Sequence, residues 1–152
     1  MQSAAETLRP AERPGVVTVG PEGDRVHILL AEDMGFDARD FRRKLRGWPV
    51  PHAISLVKDG EAAIGRLHDA AQGYAPLPDI VVLDLKMPRA NGLQVLSFIR
   101  GCPALSALPV VVWTTSDAPF DQSMAGDLKV DAYLLKRETA ARTRCILNEV
   151  LR

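Results

Sequence analysis

Asp79-Ile80-Val81-Val82-Leu83-Asp84-Leu85-Lys86-Met87-Pro88-Arg89-Ala90-Asn91-Gly92 is the stretch on which the fold of this chain turns. Ile80 to Leu83 are apolar at both parities, the pattern of a central parallel strand covered by helices on both faces. Asp84 then breaks the run with a carboxylate at the strand's carboxyl end. In open α/β sheets ligands bind in the crevice outside those ends. Met87-Pro88 and Asn91-Gly92 supply loop and turn chemistry before the next helix.

The alternation of apolar run and helical stretch continues on either side. Upstream, Val26-His27-Ile28-Leu29-Leu30-Ala31 is a second run and ends in the acid pair Glu32-Asp33. Asp37 to Gly47 spaces Phe41 and Leu45 for a helix, with Arg39, Arg42, Arg43 and Lys44 as a solvated basic outer face. Pro49 and Pro51 are expected to end that helix, and Ala53 to Val57 to form a short strand before a turn at Asp59-Gly60. Glu61 to Ala71 predicts a helix with Ala62, Ala63, Leu67 and Ala70 on its buried side. Downstream, Leu93 to Arg100 is in helical phase, and Pro109 to Trp113 is an apolar run ending in Thr114-Thr115-Ser116-Asp117. Asp117 and Pro119 open a helix to about Leu128, weakened by Gly126. Asp131 to Leu135 is the last strand, closed by Lys136, and Thr139 to Leu151 is a final amphipathic helix. Residues 1–24, dense in proline and glycine, read as a flexible arm, with Val16 to Val19 as an alternative extra strand.

Strands alternating with helices imply right-handed βαβ units and one α/β domain over residues 25–152. The expected architecture is a flavodoxin-like (βα)5 doubly wound sandwich whose five parallel strands run in the order 2-1-3-4-5. The 19 basic and 19 acidic residues balance, so nothing drives the chain generally toward nucleic acid or an anionic membrane. No stretch is long and apolar enough to span a bilayer. Cys102 and Cys145 lie far apart without metal or redox spacing, as in a reduced, cytoplasmic protein.

Four strands end in polar groups, namely Glu32-Asp33, Asp84, Thr114 and Lys136, and parallel strands place these ends on one edge. Three carboxylates there repel one another unless a cation sits among them. Mg²⁺ suits two or three carboxylates, a carbonyl and waters better than zinc does, since no His or Cys stands at these ends. With the hydroxyl of Thr114 and the ammonium of Lys136, the edge can receive a phosphoryl group, and Asp84 is central enough to be its nucleophile. Taken singly these residues have plainer readings. Asp84 could end a strand at a turn, Thr114 could cap a helix, Lys136 could be solvated, and Tyr133 and Trp113 could be packing. His27, His52 and His68 are scattered and carry no assigned role.

Four stretches in order, Leu29 to Asp33, Val82 to Gly92, Val110 to Ser116 and Ala132 to Lys136, resemble the receiver domain of two-component response regulators. Leu108 to Ser116 and the loop before the third strand look most like the stand-alone regulators associated with phytochromes. The resemblance implies a signalling protein that catalyses only its own phosphoryl transfer and dephosphorylation, rather than an enzyme acting on external substrates. It implies that Asp84 accepts phosphate from a sensor histidine kinase, phytochrome-type in this subfamily. Glu32, Asp33, Asp84 and the Lys86 backbone carbonyl would hold Mg²⁺, Thr114 and Lys136 would contact the phosphoryl group, and Thr114 and Tyr133 would form the switch. Output would pass to a downstream protein or a histidine phosphotransfer protein, or through a homodimer on the face of the fourth helix, fifth strand and fifth helix. No direct contact with nucleic acid or membrane is expected. The family usually has proline after the phosphate-contacting lysine, and here Arg137 stands, so a trans bond and an altered loop are expected. Two other readings stay open: a phosphate-independent scaffold, marked by Arg137, and a metal-dependent phosphohydrolase, which lacks a second acid at Lys86.

Overall fold

The computed structural model describes residues 25–152. The arm read over residues 1–24, with its alternative strand, lies outside the described residues. Five strands and five helices alternate as β1 (Val26–Ala31), α1 (Gly35–Lys44), β2 (His52–Val57), α2 (Gly60–Ala71), β3 (Ile80–Leu83), α3 (Gly92–Gly101), β4 (Val110–Thr114), α4 (Pro119–Asp127), β5 (Ala132–Leu135) and α5 (Ala140–Val150). All pairings are parallel, and the sheet order is β2-β1-β3-β4-β5, the flavodoxin-like order expected.

Strand parity divides the core into two layers. Ile28, Leu30, Ile80, Val82, Val111, Trp113 and Leu134 pack with Phe41 of α1, Leu45 just after it, and Ile146 and Leu147 of α5. Leu29, Val81, Leu83, Val110 and Val112 pack on the other side with Ala63 and Leu67 of α2, Val95, Leu96 and Ile99 of α3, and Ala125 of α4. Every residue of β3 and β4 is buried, as strands covered on both faces must be, whereas edge strand β2 is half-buried throughout.

Four local expectations change. Helix α1 ends at Lys44, before Pro49 and Pro51, because Leu45 and Arg46 tighten the last turn and Gly47 takes a left-handed φ of 81°. Lys44 is buried rather than part of a solvated basic face. In α2, Ala63 and Leu67 face the core while Ala62 is exposed. Asn91-Gly92, read as a turn, is a capping box: Asn91 Oδ1 accepts from the Gln94 N–H at 2.9 Å and Gln94 Oε1 accepts from the Asn91 N–H at 2.8 Å. The box starts α3 immediately after the loop that follows Asp84.

Candidate functional site

The strand registers assemble the site. Ala31 pairs with Leu83, so the next residues, Glu32 and Asp84, leave the sheet side by side. The Asp84 N–H still donates to the Ala31 carbonyl at 3.0 Å, and the Glu32 N–H to the Val57 carbonyl at 3.0 Å, which pins both main chains. Thr114 pairs with Leu135, and the Lys136 N–H donates to the Thr114 carbonyl at 2.8 Å. Four side chains expected on one edge therefore do emerge there, and all but Lys136 are classed as buried at the level of the whole residue.

Lys136 is the electrostatic centre. Its Nζ lies 2.7 Å from Glu32 Oε1, 2.7 Å from Asp37 Oδ2 and 3.0 Å from Asp84 Oδ2, and 5.0 Å above the ring of Trp113. Burial alone would lower the pKa of this ammonium, but bonds to Asp37, Glu32 and Asp84 outweigh it and hold the pKa above the ordinary value. Glu32 shows the opposite balance. Burial, reinforced by the Asp84 charge, raises its pKa from 4.5 to about 7 despite the opposing pull of Lys136 and the Met34 N–H.

Glu32, Asp33 and Asp84 each offer one oxygen within 4.8 Å of the others, with Glu32 and Asp84 buried and Asp33 half-buried. Glu32 Oε1 is in ion contact with Lys136 but accepts no hydrogen bond of good geometry, so one buried acceptor is left for a further cation. An all-oxygen set of this kind fits a hard divalent ion. Thr114 is buried at the edge, and its Oγ1 accepts from the Ser116 N–H at 3.2 Å. The Lys86 side chain is exposed, and its N–H makes only a long 3.4 Å contact to Asp84 Oδ1. Tyr133 is not among the acids; it packs beside the α2–α3 layer, and its hydroxyl donates to the Ser116 carbonyl at 2.8 Å. The Asp59 carboxylate caps α2 through the Ala62 N–H and holds Arg89, a non-glycine residue at φ 64°, by a 2.8 Å ion pair that braces the loop after Asp84.

Sequence reasoning missed Asp37 and Lys44. No helical spacing marked Asp37 as a partner of the acid pair, because Asp33 lies before the start of α1. Lys44 sits three residues after the buried Phe41, on the inner flank of α1. Trp113, read as packing, is fully buried against Phe41 at 5.0 Å and also forms the aromatic floor beneath Lys136.

Arg137 does not displace the site. No cis peptide bond occurs among the described residues, as expected after the loss of proline, and Lys136 still reaches Asp84. The family model of the response regulator receiver domain matches residues 28–148. The chain belongs to the response regulator receiver family. The receiver is 36% identical over 110 residues to the response regulator Rcp1 of Synechocystis sp., covering 72% of this chain and 75% of that protein. It superimposes with a TM-score of 0.71 on the phosphorylated cyanobacterial phytochrome response regulator RcpA, at 32% identity over 83% of this chain and 91% of that one. The Mn²⁺-bound form of Rcp1 gives a TM-score of 0.70 at 31% identity, covering 82% and 90% of the two chains. These likenesses bear out the resemblance to phytochrome-associated regulators read from the sequence. Receivers bind Mg²⁺ or Mn²⁺ in an acidic pocket, and the cluster of Glu32, Asp33 and Asp84 fits such an ion. No helix among the described residues is long and apolar enough to cross a membrane.

Proposed function

We propose that this receiver accepts a phosphoryl group on Asp84 from a sensor histidine kinase and signals through phosphorylation-dependent protein contacts. The observation that carries the reading is the convergence of Asp84, the acid pair and Lys136 on one edge, with the Lys136 ammonium 3.0 Å from Asp84. An Asp84 carboxylate oxygen attacks phosphorus, the phosphorus–nitrogen bond of the phosphohistidine breaks, and the imidazole nitrogen keeps the bonding electron pair. The product is an acyl phosphate on Asp84. Lys136 and the Thr114 hydroxyl, from adjacent strand ends, would meet the phosphoryl oxygens as charge spreads over them, a reading supported by the 3.0 Å approach of Lys136 to Asp84. Glu32, Asp33, Asp84 and the Lys86 carbonyl would hold Mg²⁺, which supplies positive charge against the incoming phosphoryl oxygens.

Likeness to Rcp1 and RcpA supports a phytochrome-type kinase as the donor. Thr114 and Tyr133 are proposed as the switch, since Tyr133 is tied to the Ser116 carbonyl two residues after Thr114. The face of α4, β5 and α5 carries exposed Phe120 and Met124 on α4 and is proposed to meet a downstream protein, a histidine phosphotransfer protein or a second copy. Light scattering with and without phosphorylation decides the last of these. The scaffold reading rested on Arg137, and the 3.0 Å approach of Lys136 to Asp84 across that departure weighs against it. Nor does the exposed Lys86 supply the second acid of a phosphohydrolase.

The test is intact-mass spectrometry of the chain incubated with Mg²⁺ and acetyl phosphate, beside Asp84→Asn. One phosphoryl adduct is expected in the native protein only, and only with Mg²⁺. Absence of both this adduct and a beryllofluoride complex in the native protein would refute the reading.

A further inference from the structure

Helix α1 holds Lys136 at both ends. At the tip, Asp37 Oδ2 lies 2.7 Å from Lys136 Nζ. At the root, Lys44 Nζ donates to the carbonyls of Lys136 at 2.6 Å and of Glu138 at 2.8 Å, and lies 3.4 Å from Asp40 Oδ2. Lys44 has three N–H donors and these are its three partners. It is only 9% exposed, with its ammonium 6.0 Å from the Trp113 ring, which the Lys136 ammonium also approaches at 5.0 Å. The main chain of α1 is itself tied down at this point, because Arg144 of α5 donates to the Lys44 carbonyl at 2.9 Å.

The two carbonyls that Lys44 bridges flank Arg137. That residue has no ring to fix its φ, its side chain is mostly exposed, and its nearest anion, Asp117, is 3.7 Å away. Nothing about Arg137 itself restrains the peptide planes on either side. The loop from Lys136 to Thr139 is instead closed by the Glu138 N–H donating to the Leu135 carbonyl at 3.0 Å, by Lys44 from outside and by the Thr139 cap of α5, whose Oγ1 accepts from the Arg142 N–H at 3.0 Å. Without the Lys44 ammonium, two carbonyls at a half-exposed corner would lose a charged donor and turn toward water, carrying the Lys136 Cα with them.

Resting on the proposed role of Lys136 in contacting a phosphoryl group, we infer that Lys44 is a positioning residue for that contact: it chelates the two carbonyls around Arg137 and so fixes the root from which Lys136 reaches the phosphoryl oxygens. Lys44 touches none of the acids that would hold a cation and reaches them only through Lys136, so its larger effect falls on the anion.

The test uses the full 152-residue chain. Mg²⁺ alone is titrated by calorimetry, and beryllofluoride, a phosphoryl mimic, is then titrated at saturating Mg²⁺. Lys44→Met keeps the buried stem and removes the donors. The variant is expected to bind Mg²⁺ within about twofold of the native protein and beryllofluoride about tenfold more weakly, as a misplacement of a fraction of an ångström allows. Unchanged beryllofluoride affinity, or equal losses for both ligands, would overturn the inference and leave Lys44 a loop-packing residue. A second readout needs no variant. In the native protein the Lys44 ammonium protons should exchange slowly with solvent and show nitrogen–carbonyl couplings to residues 136 and 138 by NMR. Exchange as fast as that of an exposed lysine would overturn it as well. Failure of the native protein to bind beryllofluoride at all would instead remove the proposed phosphoryl site and this inference with it.

Discussion

If Glu32 is a ligand of the proposed Mg²⁺ site, its protonation should compete with cation binding, and the size of that competition follows from where the carboxylate sits. Glu32 is 1% exposed and faces Asp84, so its pKa stands at about 7 instead of 4.5. A ligand oxygen must be free of its proton to hold Mg²⁺. With a pKa of about 7, lowering the pH from about 8 to about 6 should weaken Mg²⁺ binding about tenfold, and binding near pH 7 should release about half a proton. Calorimetry in two buffers of different ionisation heat reads both quantities. Glu32→Gln, which has no proton to lose there, should flatten the dependence. In the metal-free protein the same group acts on stability with a definite sign. The folded state keeps the proton to about pH 7 while the unfolded chain releases it near 4.5, so the stabilisation is complete below about 4.5 and is lost as the pH rises through 7. The gap sets a ceiling on the order of 3 kcal/mol. Mg²⁺ affinity that is flat between about pH 6 and 8, with no buffer-dependent heat, would refute the reasoning.

Two glycines in helices should respond oppositely to alanine. At Gly92 a Cβ would lie 2.3 Å from the Asp84 carbonyl oxygen, so Gly92→Ala should destabilise by about 1–3 kcal/mol and weaken Mg²⁺ binding by shifting the Asp84 loop. At Gly126 in α4 nothing lies within 4 Å, so Gly126→Ala should stabilise by about 0.5–1 kcal/mol, both read by urea denaturation. Tyr133→Phe removes the 2.8 Å bond to the Ser116 carbonyl and should cost about 0.5–1.5 kcal/mol, with the amide signals of Ser116 shifting by NMR. Arg100 donates to the carbonyls of Leu128, Ser106, Leu108 and Lys129 and pairs with Asp131, so Arg100→Leu should cost about 2–3 kcal/mol and leave Mg²⁺ affinity unchanged.

The five apolar runs and the helical phases between them were legible because burial imposes a period on the sequence, and β1 and β3 match their predicted spans to the residue. The polar residues that end those runs were legible for the same reason, since a charge cannot continue a strand buried on both faces. Helix ends were less so. Prolines 49 and 51 marked a boundary that the chain had already made at Lys44, through the three-residue-spaced hydrogen bonds of its last turn and Gly47.

From the sequence alone come the alternating fold, the edge on which Glu32, Asp33, Asp84, Thr114 and Lys136 meet, and the all-oxygen character of the acid cluster. Those properties follow from local periodicity and from strand polarity, which any parallel sheet converts into a shared edge. Only the tertiary structure decided what surrounds Lys136. Asp37 and Lys44 stand 99 and 92 residues from it in the chain, and helical spacing alone placed Lys44 among solvated charges. A lysine has a long apolar stem and a charged tip, so its burial depends on whether a distant segment presents carbonyls to that tip. The packing of α1 against the loop between β5 and α5 presents them, and no pattern within α1 records it.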